Sequence, residues 1–440
     1  MSWVFIVLKL LIAFIVMNAA LVVTAYVIYG ERKVGGHMQA RMGPNRAGPV
    51  GLFQSFADLI KMLKKETIVP AGADKWVFHV APVVAAFTSL SVLALVPWSP
   101  GSIHIFGTDV TFFVADLNVG MLVVLALSSL GVYGVVMAGW SSNSKYSLLS
   151  GLRASSQALS YEIIFGISLI GVFLMTGSLS LVDITNAQTV AHAPWQPGLW
   201  FVLLQPIPLI TFFAAALAET NRTPFDLVEA ESELVAGYHT EYSGMRFGLF
   251  QLAEFHGVFA MSVWSSVLFI GGWGSPLGAL FDSGQSRAGI PFISGLLGSG
   301  FHWLILKAFL FVFVFYWLRW TLPRFRYDQL MGLCWKVFLP VVLLNIMIIS
   351  VLKLIFFPPG LNLANGNDQL FWWILAIIEL LIGVALLIAF SNLAGLGWFG
   401  RAERPVLVDR SLIMVRTVHG GRGTIEGEAR PIEVTRSGSG

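Results

Sequence analysis

The residues with the greatest capacity for chemistry lie between Glu219 and Glu254. This stretch carries Glu219, Asp226, Glu229, Glu231, Glu233, Glu241 and Glu254, offset locally only by Arg222 and Arg246. It separates two strongly apolar segments in a chain of which 12% is charged. Carboxylates in such a place are costly unless water, cations or protons stabilise them, so they are candidates for an ion or proton path. Glu229 and Glu233 fall one helical turn apart on the expected helix. Closely spaced carboxylates raise one another's proton affinity, because both cannot easily ionise together. The alternative for Glu229, Glu231 and Glu233 is a solvated loop. Thr223-Pro224-Phe225-Asp226 reads as a helix start, with Thr223 as the cap and Pro224 at the first position, so Asp226 is assigned first to capping.

Three other stretches combine charge with unusual framing. Glu31-Arg32-Lys33 opens a block that runs through Arg41 and Gly43-Pro44-Asn45-Arg46 to Gly48-Pro49. The Gly-Pro pairs fix the backbone outside helix or sheet. A basic loop that merely set topology would need neither that framework nor Glu31. In the second, small residues at 154, 155, 156, 158 and 160 permit close helix packing before Glu162. Glu162 falls inside an apolar span. It is either functional or a carboxylate hydrogen-bonded to Ser and Tyr hydroxyls. The third, Pro323-Arg324-Phe325-Arg326-Tyr327-Asp328-Gln329-Leu330-Met331, is either a basic loop with aromatic anchors at the interface or a source of cations that counter the acidic loop.

The elements that must position these groups are membrane helices. Of 440 residues, 56% are hydrophobic, whereas a soluble domain carries about 25% charged residues. A spanning helix needs about 20 mostly apolar residues. Nine segments meet this, roughly 3–29, 76–97, 117–140, 156–177, 198–219, 249–271, 300–321, 335–357 and 369–391. The loops on one side, with the tail after 392, hold 23 of the 27 Lys and Arg. By the positive-inside rule that side is the inner one, and the N-terminus is expected outside. In 52–65 the apolar residues repeat at helical spacing, opposite Gln54, Asp58, Lys61 and Lys65. This reads as an amphipathic helix along the inner surface. It is either an anchor on anionic headgroups or one wall of a cavity with Asp58 and Lys61 inside. Residues 98–116 suggest a short outer hairpin around Gly107-Thr108-Asp109. The fold class is therefore an all-α polytopic membrane protein of about nine transmembrane helices.

Several functions are excluded by what the chain lacks. Its one cysteine, Cys334, allows no internal disulfide and no four-cysteine cluster built by this chain alone. The eight histidines show no His-x-His or His-Glu-x-x-His spacing, and there is no nucleotide-binding glycine motif.

Four motifs occur together and in order: Glu31-Arg32-Lys33-Val34, Gly43-Pro44-Asn45-Arg46-Ala47-Gly48-Pro49, Ala218-Glu219-Thr220-Asn221-Arg222-Thr223-Pro224-Phe225-Asp226 and Arg326-Tyr327-Asp328-Gln329-Leu330-Met331. On these the chain resembles the quinone-site membrane subunit of respiratory complex I, the proton-pumping NADH:quinone oxidoreductase, from the first span to about residue 357. The resemblance implies a membrane subunit at the junction with the hydrophilic arm. Its substrate would be a quinone, menaquinone or ubiquinone, with FMN and iron–sulfur clusters only in partner subunits. Glu31, Arg32, Arg41, Arg46, Asp58 and Lys61 would line or shape the quinone cavity. Glu162, Glu219, Glu229, Glu231, Glu233 and Glu254 would form the acidic proton and coupling route. No residue of this chain would be catalytic by direct chemistry, and no metal site is implied.

The implied partners are the quinone-site hydrophilic-arm subunits, the membrane-arm antiporter-like subunits and membrane lipid, with no nucleic acid. The organisation implied is an eight-helix core over 1–357, an extra ninth helix within 358–395, and a polar cytoplasmic tail over 396–440. With no transit peptide before the first span, a prokaryotic plasma membrane is expected, with the charged loops cytoplasmic. Two alternatives stand beside this: the homologous subunit of a membrane-bound hydrogenase or ferredoxin-linked complex, and a stand-alone ion transporter. The Gly-Pro-Asn-Arg block disfavours the first, and the absence of internal repeats the second.

Overall fold

The computed structural model describes residues 3–100, 102–105, 108–111, 113–189, 200–227, 235–276, 298–356, 374–383 and 385. Glu229, Glu231 and Glu233 lie outside the described residues, as do the polar tail and the ends of the ninth segment.

Apolar sequence in this chain becomes helix because a helix satisfies its backbone polar groups internally, as hydrocarbon requires. The order is α1 (Trp3–Met38), α2 (Gln54–Lys64), α3 (Lys75–Val92), β1 (Ser102–Ile105), β2 (Thr108–Thr111), α4 (Gly120–Ser141), α5 (Lys145–Thr176) and α6 (Leu181–Thr189). Then follow α7 (Phe201–Leu204), α8 (Pro206–Glu219), α9 (Gly244–Phe269), α10 (Phe301–Thr321), α11 (Tyr327–Leu333), a π-helical turn at Cys334–Phe338, α12 (Leu339–Phe356) and α13 (Ile374–Gly383). Seven helices among the described residues are long and apolar enough to cross a membrane, and α8 and α13 are shorter apolar helices. They fall on the nine apolar segments, but the described helices of two of these, 198–219 and 369–391, are shorter than a span needs. β1 and β2 pair antiparallel with Ile103 opposite Val110, giving the expected hairpin.

Several boundaries differ from the hydropathy reading, each for a physical reason. α1 does not stop near 29 but continues to Met38, because Glu31 is buried among partners rather than solvated. Its glycine at 35 lets it approach α10, where an added Cβ would lie 2.4 Å from Trp320. The segment 198–219 is two helices broken at Gln205, where Pro206 begins the second. Residues 145–155, expected as loop, are the first turns of α5, with Ser144 preceding the helix. Gly151 of α5 crosses Gly139 of α4 so closely that a Cβ would lie 3.2 Å from its Cα. Small residues at a crossing let membrane helices approach this closely.

α9 is the helix about which the bundle is packed, with Val263, Trp264, Val267, Leu268 and Phe269 completely buried. α3 and α10 flank it, and α1 joins through Thr24, whose Oγ1 lies 3.0 Å from His256 Nδ1. By contrast, much of α1 turns apolar side chains outward, among them Leu10, Phe14 and Ile15. A face of that kind suits lipid.

Candidate functional site

Two sites share α9. One is a cleft of about 570 Å³ at the end of the bundle where α1, α9 and α10 meet. The other is a smaller pocket of about 130 Å³ among α3, α4, α5 and α9.

The cleft is built on Glu31, which is 6% exposed. Arg319 of α10 donates to Glu31 Oε1, and Arg222 Nη1 lies 3.6 Å from Glu31 Oε2. The Arg222 guanidinium also stacks 4.1 Å from the Phe255 ring centroid. One buried carboxylate thus meets two cations, which is how a charge is made tolerable away from water. Arg32 and Arg41 line the same cleft with Gln251, Phe255 and Trp320. Arg32 pairs with Asp58 of α2, and Gln54 Nε2 donates to the other Asp58 oxygen at 3.0 Å. α2 is strapped to α1 by Ser55 Oγ donating to the Ala25 carbonyl at 2.6 Å, and the turn before α2 by Tyr29 OH donating to the Val50 carbonyl at 2.9 Å. Arg46 and Lys61 are exposed and do not line the cleft. α2 itself has no fully buried residue.

The segment after α8 is held from several sides. Gln157 Nε2 donates to the carbonyls of Ala218 at 2.9 Å and Phe225 at 3.0 Å. Thr223 does not cap a helix as its sequence context suggested. No helix begins there, and its hydroxyl donates to the Arg319 carbonyl at 2.9 Å. Asp226 is an ion-pair partner, with Oδ2 3.0 Å from Arg324 Nη2; whether it also caps a helix falls on residues 228–234, which lie outside the described residues. Thus Arg324 counters the acidic segment, one of the two readings of its stretch.

In the pocket, Glu219 and Glu254 are lining residues. Tyr238 OH donates to Glu254 Oε1 at 2.9 Å, and Ser129 Oγ donates to Glu162 Oε1. Glu219 Oε2 is enclosed without a hydrogen-bond partner among the described residues. Glu162 is close enough to act electrostatically on Glu219. The described lining contains no Lys or Arg. Next to Tyr238, the turn Gly237–His239 packs the His239 ring against Phe247, with centroids 5.1 Å apart. Burial pushes the His239 imidazole down to about 4.

The structure therefore gathers Glu31, Arg32, Arg41 and, through Arg32, Asp58 at one site. It gathers Glu219 and Glu254 at the other, with Glu162 outside the lining but near enough to act electrostatically on Glu219. Sequence reasoning missed Arg319, Gln251, Phe255 and Trp320 at the cleft, Tyr238 at the pocket, and Ser129 as the partner of Glu162. Arg319 carried a signal, a lone charge in the last turn of an apolar helix. The others carried none that distinguishes them from ordinary membrane-helix residues.

A family described as NADH dehydrogenase matches residues 10–350. The chain is 46% identical over 356 residues to the H-type NADH-quinone oxidoreductase subunit of Thermomicrobium roseum, covering 80% of this chain and 98% of the relative. It is 45% identical over 341 residues to NADH-quinone oxidoreductase subunit 8 of Rhodothermus marinus, covering 78% and 96%. It is 48% identical over 320 residues to the H-type subunit of Rhodospirillum centenum, covering 73% and 86%. Extending along nearly the whole of these relatives and through the residues of both the cleft and the pocket, the similarity makes this chain a member of the NADH dehydrogenase family, of the H-type NADH-quinone oxidoreductase kind.

Proposed function

We propose that this chain is the membrane subunit that forms the quinone site of a proton-pumping NADH:quinone oxidoreductase. In this reading the cleft receives the quinone head group, and the acidic pocket is the first station of the proton route. The observation that carries it is the continuity from Glu219 to Arg222. Glu219, Thr220 and Asn221 line the pocket, while Arg222 pairs with Glu31 at the cleft. A change of charge at one site thus reaches the other through one turn of backbone.

The residues present suit a polar ring that gains electrons and protons. Arg32, Arg41 and Arg319 offer donors to its oxygens, and Phe255 and Trp320 offer apolar faces. Electrons come from a partner subunit, since this chain's single cysteine cannot hold a cluster alone. Negative charge on the ring competes with Glu31 for Arg319 and Arg222. At low effective dielectric, charges a few Å apart couple by several kcal/mol. That is enough to redistribute ion pairs and to move the turn that carries Glu219. Glu219, Glu254 and Glu162 then exchange protons through the hydroxyls of Tyr238 and Ser129. Glu229, Glu231 and Glu233 extend the route along the chain that follows Leu227. The cleft faces the cytoplasm of a prokaryotic cell, where the hydrophilic-arm subunits dock.

The test is Glu162→Gln in the assembled complex, with proton pumping and quinone reduction measured together. A loss of pumping per electron is expected. If both survive unchanged, Glu162 has no place in the relay.

A further inference from the structure

The end of the bundle remote from the cleft holds a polar site of another kind. α9 ends at Phe269, and Gly271-Gly272-Trp273-Gly274 turns back over its last carbonyls. Gly271 has φ +67 and Gly272 φ +47, a region that side chains other than glycine rarely adopt. A Cβ at Gly274 would lie 2.2 Å from Thr189 Cγ2. The turn presents backbone oxygens to α10. There Lys307 Nζ donates to the carbonyls of Ile270 at 2.5 Å, Gly272 at 3.1 Å and Gly274 at 2.6 Å. The Trp200 ring lies over it, 4.5 Å from Nζ to the centroid.

Lys307 is 6% exposed, so water competes little for these contacts. Three carbonyls at hydrogen-bond distance require three N–H donors. An ammonium has three and a neutral amine only two, so the cage fits the charged form. The carbonyl end of a long helix also favours a cation. Beside this cage Gln188 of α6 uses its amide fully. Its Nε2 donates to the carbonyls of Val267 at 3.0 Å and Leu268 at 3.3 Å, and its Oε1 accepts from Gly271 N at 2.8 Å and Phe201 N at 3.3 Å.

A proton wire needs members that both accept and donate. An ammonium has no lone pair, and here its three donors face backbone carbonyls. The Gln188 amide is equally committed. The polar layer at this end of α9 therefore cannot hand a proton on. Between it and the acidic pocket, α9 buries Val263, Trp264 and Val267 completely, together with Ser262, Ser265 and Ser266; the Ser262 and Ser265 hydroxyls donate to carbonyls of their own helix, at Val258 and Met261.

We propose that the Lys307 cage is a seal: a tethered cation, saturated by backbone carbonyls, that stops protons held in the acidic pocket from crossing to the remote membrane face. This inference rests on the reading of that pocket as a proton site. Lys307 touches neither the cleft nor the pocket, so it is a barrier residue and not part of the reaction.

The test uses the whole complex in sealed liposomes with no electron donor, so that only passive proton flux is read. Flux is driven by a potassium diffusion potential set with valinomycin and followed with an internal pH dye. K307M removes the charge at similar length. K307Q replaces it with a group that both donates and accepts. Each should raise passive flux several-fold over the parent while quinone reduction is retained. Adding Glu219→Gln to K307M should return the flux to the parental level. A leak that persists in that double variant, and with Glu254→Gln, leaves the seal standing and removes the pocket as its proton source. A neutral variant that assembles and stays tight overturns the seal. So does a complex that assembles only with a cation at 307, because the residue is then needed for folding alone.

Discussion

At the cleft, Glu31 meets Arg319 and Arg222, and Asp58 meets Arg32. In the pocket Glu254 meets the Tyr238 hydroxyl, and beside it Glu162 meets the Ser129 hydroxyl. A guanidinium only donates, so it pins a carboxylate in its charged form. A hydroxyl donates or accepts, so it serves a carboxyl with or without its proton. The first arrangement suits holding charge at fixed positions until a ligand disturbs it. The second suits letting a proton come and go. The two sites differ less in how much charge they carry than in what their partners allow that charge to do.

Breaking the link between them should have the largest effect. Removing one partner of a buried ion pair costs about 3–5 kcal/mol. Arg319 remains beside Glu31, so Arg222→Met should cost less stability, about 3 kcal/mol at most. It should lower coupled turnover by about a hundredfold at most, the limit reached if all of that loss fell on the rate-limiting barrier. Arg222→Lys should recover only part, because the contact with the Phe255 face depends on a planar cation. Steady-state quinone reduction with and without an uncoupler checks this. Equal loss in both conditions would place Arg222 at the cleft alone.

Within the pocket, Glu219→Gln should lower pumping per electron by about tenfold while quinone reduction falls less, since losing a proton-transfer group costs about a hundredfold or more when it acts directly. Proton-to-electron ratios in liposomes read it. Tyr238→Phe should act several-fold more weakly, because one hydrogen bond contributes about 1 kcal/mol. A Tyr238→Phe defect as large as that of Glu219→Gln would show that the hydroxyl does more than hold Glu254.

The pocket's support should also show in acid. Burial pushes His239 down to about 4 in the folded chain, against 6.5 ordinarily. The unfolded state therefore binds the proton more tightly. Stability from the neutral imidazole is complete above about 6.5 and is lost as pH falls toward about 4. Thermal unfolding across that window should have a shallower pH slope in His239→Phe than in the parent. The smallest effects belong to Arg46→Gln and Lys61→Gln. Exposed and outside the described cleft, they should change quinone reduction by less than about twofold, as surface substitutions usually do. A larger loss in either would extend the cleft beyond Arg32 and Asp58.

Hydropathy made the centres of the spans legible but not their ends. A charged residue in a sequence reads as the edge of a membrane helix, yet Glu31 and Arg32 lie well inside α1. Their partners come from α10, α2 and the segment after α8, which no local window contains. The break at Gln205 was hidden in the same way, because Pro206 can begin a helix as readily as interrupt one. At the sites, the motifs carried the residues close to one another in sequence. Arg319 escaped because its role appears only when α10 packs beside α1. Thr223 was misassigned for the same reason: its local pattern fits a cap, but its hydroxyl donates to the Arg319 carbonyl far along the chain, and Asp226 gains its Arg324 partner in the same way.

The contact between Gly35 and Trp320 sets a mechanical condition on all of this. α1 carries Glu31 and Arg32, α10 carries Arg319, and the spacing between them is gauged by an indole edge resting where a side chain would otherwise stand. Any substituent at 35 works as a wedge applied near the jaw of a clamp: a displacement too small to unfold either arm still opens the grip on Glu31. The spacing of α1 and α10 beside the cleft is thus machined by one missing methyl group.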